Sequence, residues 1–546
     1  MQKFFLALII ASSAQATIID VNLGDNLQMA ADTSQSGDTL LLQRGDHSTS
    51  LILRLHSLTI ASSFVLDGDT SHISQTRLLP SDELLDTASC VIVHNLPTDT
   101  IRFIGVTVAE GIGTLDIGNQ IVGGGILARQ SHIVLNNCGI KNCSGESGGG
   151  IYIYGFPSWN PIASLTMVDC VIDSCTCGAW GGGVYANRVS VSLENCQFSG
   201  NQSFQDGGGL ITLDCIAELD RCMFAGNAGT TGGAYLAGRR QVVRNCVFVN
   251  NSSDQFTYWA AHLSVNLGYF IVEGCYFGET DSPARSVNTC CDWRDTVVFR
   301  GNVLENNEDT ALLRTGNFSS CGIMGEVSNC IFRNNVSGGS QIYVFCGSSV
   351  RIFENLFSEN RSTSPLRPSV IRTGTQGRPE IFNNLIVGNF GQTIDYFVDY
   401  PATIDARQNW WGHETGPYHP TQNPFGQGDT ILSDSVLFDP WLLSPPDTST
   451  SVTPPRPETP ANWKLMNVYP NPFNSELTIS LAGIMGSDFS LKLYDTLGRV
   501  VAILHEGRGH GQMIHYSAPP SLATGVYFLQ ASEGPARNIK KVVFLK

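Results

Sequence analysis

Apolar residues in this chain fall in short runs that alternate with polar positions, as in Ile151-Tyr152-Ile153-Tyr154 and Val184-Tyr185-Ala186. Glycine or asparagine breaks each run before it could make two turns of helix. Period-two alternation bounded by turn residues predicts short strands, whereas a helix needs apolar residues at i, i+3 and i+4 over ten or more positions. The strands recur at a regular interval. A unit of the form Asn-Cys-x-aromatic/aliphatic is centred on Cys138, Cys170, Cys196, Cys222, Cys246, Cys275 and Cys330, and asparagine takes the cysteine slot at Asn302, Asn355, Asn384 and Asn409. Successive slots from 138 to 409 lie 32, 26, 26, 24, 29, 27, 28, 25, 29 and 25 residues apart. Glycine-rich segments ending at Gly125, Gly150, Gly183, Gly209 and Gly233 keep step with them, so one structural unit is being repeated.

A period in this range suits leucine-rich repeats, helical repeats or parallel β-helices. The Leu-x-x-Leu-x-Leu frame of the first is missing, and so is the helical periodicity of the second. The pattern therefore predicts an all-β chain, a right-handed parallel β-helix with about three strands per turn and roughly fifteen coils over residues 17–443. Coils in such a solenoid stack ~4.8 Å apart, which places each Cys or Asn on its counterpart in the next coil. An inward cysteine column packs as small apolar groups, and an asparagine column exchanges amide hydrogen bonds. Asparagine also tolerates the left-handed conformation of a corner, which suits Asn250-Asn251, Asn306-Asn307 and Asn334-Asn335. Cys143 and Cys175 each follow a ladder cysteine by five residues and are expected to stack and pair. Cys175-Thr176-Cys177 and Cys290-Cys291 lack a complementary zinc-ligand cluster, so a loop disulfide is expected there rather than a metal.

Composition narrows the class. Charged residues make up 15% of the 546, against ~25% for ordinary soluble domains. With 42% apolar residues, the chain is not expected to be disordered along its length. The net charge of −16 and pI near 5.1 argue against nucleic acid or an anionic membrane as partner. Residues 1–16 read as a secretory signal: Lys3, an apolar core from Phe4 to Ala11, and Ala14-Gln15-Ala16 before the expected cleavage at Thr17. No apolar run reaches the ~20 residues of a transmembrane helix. Residues 444–461 hold six prolines among Ser and Thr and predict an extended linker. Beyond it, residues 462–546 read as short strands with frequent turns, which predicts a small immunoglobulin-like β-sandwich.

Two resemblances extend this reading. Gly37-Asp38-Thr39-Leu40 through Gly45, and Arg102-Phe103-Ile104-Gly105-Val106-Thr107-Val108, resemble rungs of secreted β-helix proteins of the pectate-lyase-like superfamily, although His47 stands where a Tyr is usual. Asn409-Trp410-Trp411-Gly412, Gly416-Pro417-Tyr418-His419-Pro420 and Phe438-Asp439-Pro440-Trp441 resemble the last rung of bacterial surface β-helices, a cap that stops edge pairing. In the C-terminal part, Tyr469-Pro470-Asn471-Pro472, Leu493-Tyr494-Asp495-Thr496-Leu497-Gly498-Arg499, Gly525-Val526-Tyr527 and Lys541 closely resemble the type A sorting domain of the type IX secretion system, with Tyr516 where Trp is usual. That resemblance implies a Gram-negative cell, export to the periplasm, and transfer across the outer membrane by the type IX machinery. It also implies a secreted or cell-surface location and common removal of the domain.

β-Helices host lyases, hydrolases and proteins without catalysis, so fold alone does not decide function. A lyase for uronate polymers needs a base and a cation on the substrate carboxylate, typically Ca²⁺ on clustered carboxylates. Lysine as base is nearly excluded, since Lys141 is the only lysine between Lys3 and Lys464. The richest stretch offers Asp281, Asp292 and Asp295 as metal ligands, with Arg285 and Arg294 as base. Paired hydrolase carboxylates, a nucleophile elbow, a zincin helix and a Walker loop are not found. Trp159, Trp180, Tyr258 and Trp259 can present aromatic surface to sugar rings. The sequence favours a binding or adhesion protein, with glycan as ligand and no required cofactor, over the calcium-dependent lyase.

Overall fold

The computed structural model describes residues 16–446 and 464–545, apart from residues 55, 82–87, 117–119, 157–162, 254–259, 267, 279–284, 291–295, 308–317, 322–323, 346, 365–366, 375–376, 397–402, 470–472, 483–484, 496–498, 511–512, 520–521 and 534–535. The expected signal segment, most of the linker and Pro470-Asn471-Pro472 lie outside it. The chain divides into two compact units, Met1–Pro454 and Pro455–Lys546.

The first unit is a parallel β-helix. One central coil runs His132–Asn136, Gly139–Lys141, Ser144–Ser147 and Ile151–Tyr154. These strands belong to four sheets, here I to IV in that order, of 16, 13, 7 and 13 strands. The expected three strands per turn are thus four in the central coils. Sheet III escapes the apolar pattern because its strands are short and polar, as in Ser144–Ser147 and Gln202–Ser203. Sheets II and IV stack without register shift through these coils: Ile140 on Ile172 on Phe198 on Phe224, and Ile151 on Val184 on Leu210 on Ala234.

Alternation places one set of side chains inside. Phe198, Phe224, Phe248 and Phe277 form a buried column with ring centroids 4.6, 4.8 and 5.0 Å apart, the repeat of the coils themselves. Turns between sheets I and II use one left-handed residue per coil, among them Asn137, Asp169, Asn195 and Arg221 with φ of 51 to 55°. The following cysteine then points inward: Cys138, Cys170, Cys196, Cys222, Cys246 and Cys275 are at most 2% exposed. Their slot passes to asparagine in later coils, where Asn355 Nδ2 donates to Asn384 Oδ1 at 3.0 Å and Asn384 Nδ2 to Asn409 Oδ1 at 2.9 Å.

A second ladder lies at the corner of sheets II and III. It begins with Cys143 and Cys175 and continues as Asn201, Asn227 and Asn251, joined by amide bonds of 3.0 and 2.9 Å. The asparagine pairs divide their work: Asn250, Asn306 and Asn334 take left-handed φ near 53°, while Asn251, Asn307 and Asn335 point inward. Cys143 and Cys175 stack as expected but do not pair, and the twelve cysteines with described side chains are free thiols.

A seven-residue helix, Leu27–Thr33, buries Leu27 and Ala31 at the N-terminal coils and is capped by Asn26 Oδ1, which accepts from Met29 N at 2.9 Å. At the other end Trp411 is fully buried, and Trp441 Nε1 donates to Glu414 O at 3.0 Å over Gly416. The second unit has a three-stranded antiparallel sheet (Lys464–Tyr469, Glu476–Ala482, Met513–Ser517) and a four-stranded one (Met485–Tyr494, Val500–His510, Gly525–Glu533, Ala536–Phe544). Both contribute to one core of Leu477, Ile479, Leu491, Leu493, Leu529 and Phe544. Among the described residues no helix is long and apolar enough to cross a membrane.

Candidate functional site

The outer faces of the helix differ in character. On sheet I, outward charges pair with one another along the stack, as where Glu273 accepts from Arg244 at 3.4 Å and from Arg300 at 2.7 Å. Such exposed pairs contribute under ~1 kcal/mol each and form a solvated wall. Sheet IV instead carries an apolar column on its outer face: Leu127, Tyr152, Tyr185, Ile211, Tyr235 and then Ser264 occupy one register position in successive coils. Tyr185 and Tyr235 are each 8% exposed and Ile211 is 1% exposed although all three point away from the core.

The glycine corners make this cover possible. Gly148, Gly181 and Gly207 have φ of +62, +71 and +72°, and a Cβ on any of them would come within 3 Å of the outward residue of the next strand. The corner thus folds back on sheet IV and lays sheet III residues over it. Trp180 and Tyr152 pack there against the buried cluster of Tyr185, Ile211, Tyr235 and Ala237. Tyr152 and Tyr185 stack at 4.8 Å with 2° between ring planes. Rings stacked along the helix axis turn edges rather than flat faces outward, and of this cluster Tyr152 and Trp180 remain partly exposed. Asn187 Nδ2 donates to Tyr185 Oη at 3.0 Å, Asn266 Nδ2 to Tyr235 Oη at 3.0 Å, and Arg188 Nη1 to Tyr154 Oη at 2.9 Å. Burial pushes the Tyr152 hydroxyl up to about 12, so it stays neutral and able to donate.

One carboxylate belongs to the same face. Asp206 lies one coil on from Trp180, and its carbonyl accepts from Gly181 N at 3.1 Å. Burial pushes its carboxyl up to about 6, opposed by a 3.3 Å hydrogen bond from Thr231 Oγ1. Among the described residues no cation pairs with it. Two arginines at the far ends of sheet IV strands are matched, Arg129 with Asp116 and Arg188 with Asp214 at 3.4 Å. Phe204, two residues before Asp206, is 72% exposed, and Phe156 at the other edge is 52% exposed.

Of the residues expected to bind ligand, Trp180 is placed in this face, while Trp159, Tyr258 and Trp259 lie outside the described residues. Asp281, Asp292, Asp295 and Arg294 lie outside them too. Arg285 opens the sheet IV strand Arg285–Cys290. Among the described residues no group of three His, Cys, Asp or Glu could hold a metal ion. His262 is buried within the strand Ala260–Asn266, and desolvation pushes its imidazole down to about 3. Sequence reading assigned no binding role to Phe204, Asp206, Tyr185, Tyr235 or Arg188; the alternations Ile-Tyr-Ile-Tyr at 151–154 and Val-Tyr-Ala at 184–186 were the available signals.

In the second unit, Tyr527 is 6% exposed and its hydroxyl donates to Ala523 O at 2.6 Å, which ties the start of the strand Gly525–Glu533 to the turn before it. Arg499 is exposed and pairs with Asp495 at 2.7 Å. Tyr469 ends its strand and Lys541 is exposed on the last one, whereas Gly498 lies outside the described residues.

Residues 210–409 match the family described as right handed beta helix region, and residues 467–545 match the secretion system C-terminal sorting domain. No curated protein matches the chain. Among solved structures it is similar to the enzymatically active domain of bacteriophage CBA120 tailspike protein 4, at 11% identity and a TM-score of 0.24, over 93% of this chain and 62% of that one. The chain is a right-handed β-helix protein. It carries a C-terminal sorting domain of the type IX secretion system, which implies handling by that machinery, export, and a secreted or cell-surface location.

Proposed function

We propose that this is a glycan-binding or adhesion protein of a Gram-negative cell and that sheet IV is its binding face. In this reading residues 1–16 are a signal removed on export, 17–443 are the functional β-helix, 444–461 a linker, and 462–546 the sorting domain with Tyr469, Pro470, Asn471, Pro472, Gly498, Arg499, Gly525, Tyr527 and Lys541 as its signal. The observation that supports binding is the aromatic margin of this face: Tyr152 and Trp180 lie partly exposed beside the covered Tyr185–Ile211–Tyr235 column, Phe204 and Phe156 are exposed at its edges, and the Tyr185 and Tyr235 hydroxyls are held by neighbouring amides. Sugars offer that combination of apolar ring faces and hydroxyl edges, and pre-ordered side chains lower the entropy cost of binding them. An extracellular polysaccharide reaches such a face only from outside the cell, which agrees with the sorting domain.

A glycan array probed with the secreted chain should give binders that are lost in Trp180→Ala. Uronate polymer incubated with the protein and Ca²⁺ should show no unsaturated product by absorbance. Product formation abolished by Arg294→Ala would replace the binding reading with the lyase, and an array without binders would remove glycan as the ligand.

A further inference from the structure

Asp206 sits at the corner where sheet III leads into sheet IV, and among the described residues no ion pair is made to it. Arg129 pairs with Asp116 and Arg188 with Asp214, whereas among the described residues the Asp206 carboxylate accepts only from the Thr231 hydroxyl, with Trp180 in the coil before it. Holding a carboxylate half-buried without a cation costs stability, and such a group is a functional-site candidate when it borders a binding face. Its remaining oxygen lone pairs have capacity for further donors, since a carboxylate accepts about four hydrogen bonds. Phe204 beside it supplies the exposed aromatic surface that the stacked tyrosines do not.

We propose that Asp206 is the residue that selects the ligand of this face, its carboxylate accepting two hydroxyls of a neutral sugar whose ring lies on Phe204. The inference rests on the glycan reading and narrows it: the ligand class is a neutral, hydroxyl-rich glycan and not a uronate. Hydroxyl donors reach a charged acceptor in a partly desolvated place, where such bonds are stronger than neutral ones. A uronate carboxylate would meet a like charge there that no described cation neutralises.

The test compares wild type, Asp206→Asn and Phe204→Ala on an array of neutral gluco-, manno-, galacto- and xylo-oligosaccharides beside oligogalacturonates, with Glu218→Gln on sheet I as control. Neutral oligosaccharides should bind wild type and the control alike. Both site variants should lose at least tenfold in affinity, with Asp206→Asn melting no lower than wild type at neutral pH. Preferential binding of oligogalacturonates, or an Asp206→Asn protein that binds as wild type does, would overturn the assignment of Asp206 while leaving glycan binding in place. Absence of any binding by wild type would overturn both.

Discussion

Asn389 Nδ2 donates to Asp429 Oδ2 at 2.7 Å, and this carboxylate is where the second asparagine ladder stops. Asn335 and Asn360 pass the same bond to the next asparagine at 3.0 and 2.9 Å. The last coil has no further asparagine to offer, and Asp429 closes it by accepting from Gly388 N at 2.8 Å and Asn389 N at 3.0 Å as well. Two acceptor oxygens suit three donors better than the single oxygen of an amide. Asp429→Ala should therefore lower the melting temperature and speed amide exchange at Gly388 and Asn389, at ~1–3 kcal/mol for each buried donor left unsatisfied. Asp429→Asn should lose less. An alanine variant melting with wild type would show that the ladder needs no terminal acceptor.

Glycine at the sheet III to IV corner is required by space as well as by φ. A Cβ on Gly208 would lie 2.4 Å from Ala228 O and 2.5 Å from Gly232 O, backbone atoms of the adjoining coil that cannot retreat. Gly208→Ala should cost about 1–3 kcal/mol, the range for forcing an extra methyl into packed surroundings. Gly178 is the control, because its nearest neighbour would be 3.8 Å away. Gly178→Ala should match wild type or melt slightly higher, as Gly→Ala does where the backbone permits. Equal melting temperatures for the two variants would refute the packing argument.

The first ladder was legible because Cys and Asn recur at one slot with a steady interval, and the solenoid follows from that interval. The second was in plain view as Asn250-Asn251 and Asn334-Asn335, yet periodicity cannot say which of two adjacent asparagines turns inward; that is decided by the left-handed φ of the first. His262 is a related case: its Nδ1 lies 3.1 Å from Asn251 Nδ2 inside the core, a place that only the stacking of coils defines. Asp206 belongs to no motif. Its character comes from Trp180 and Thr231, each a full coil distant in sequence and next to it in space, a relationship absent from any local window.

Free thiols in an exported chain carry a prediction of their own. Each ladder sulfur is buried and donates to backbone, as Cys222 Sγ does to Leu193 O and Asp220 O at 3.5 Å. Burial raises the Cys222 thiol well above its ordinary value and pushes Cys330 to about 12, so neither forms the reactive thiolate near neutral pH. Iodoacetamide at pH 8 should leave both unmodified in the native protein, by peptide mass spectrometry, and label them fully in denaturant. Peptide maps of Cys143 and Cys175 should be the same with and without dithiothreitol, because no disulfide joins them. A cystine peptide joining those two residues, or native labelling of Cys222, would count against the ladder.

The pH dependence of stability offers an independent view of Asp206. Its folded value is about 6, above the ordinary 3.8, because burial disfavours the charged form. The folded state therefore binds the proton more tightly than the unfolded chain does. The resulting stabilisation is fully present below the unfolded value and is lost as pH rises through about 6. A side-chain amide at this position cannot ionise, so Asp206→Asn should melt above wild type at pH 7.5, and the difference should shrink towards nothing near pH 3.5. Calorimetric melting at the two pH values tests this directly. A variant less stable than wild type at pH 7.5 would mean that the carboxylate is held by a cation in the native protein. The expected order makes Asp206 a residue kept charged at the expense of stability, and a ligand that donates hydrogen bonds to it would then raise the melting temperature of wild type and not of the variant.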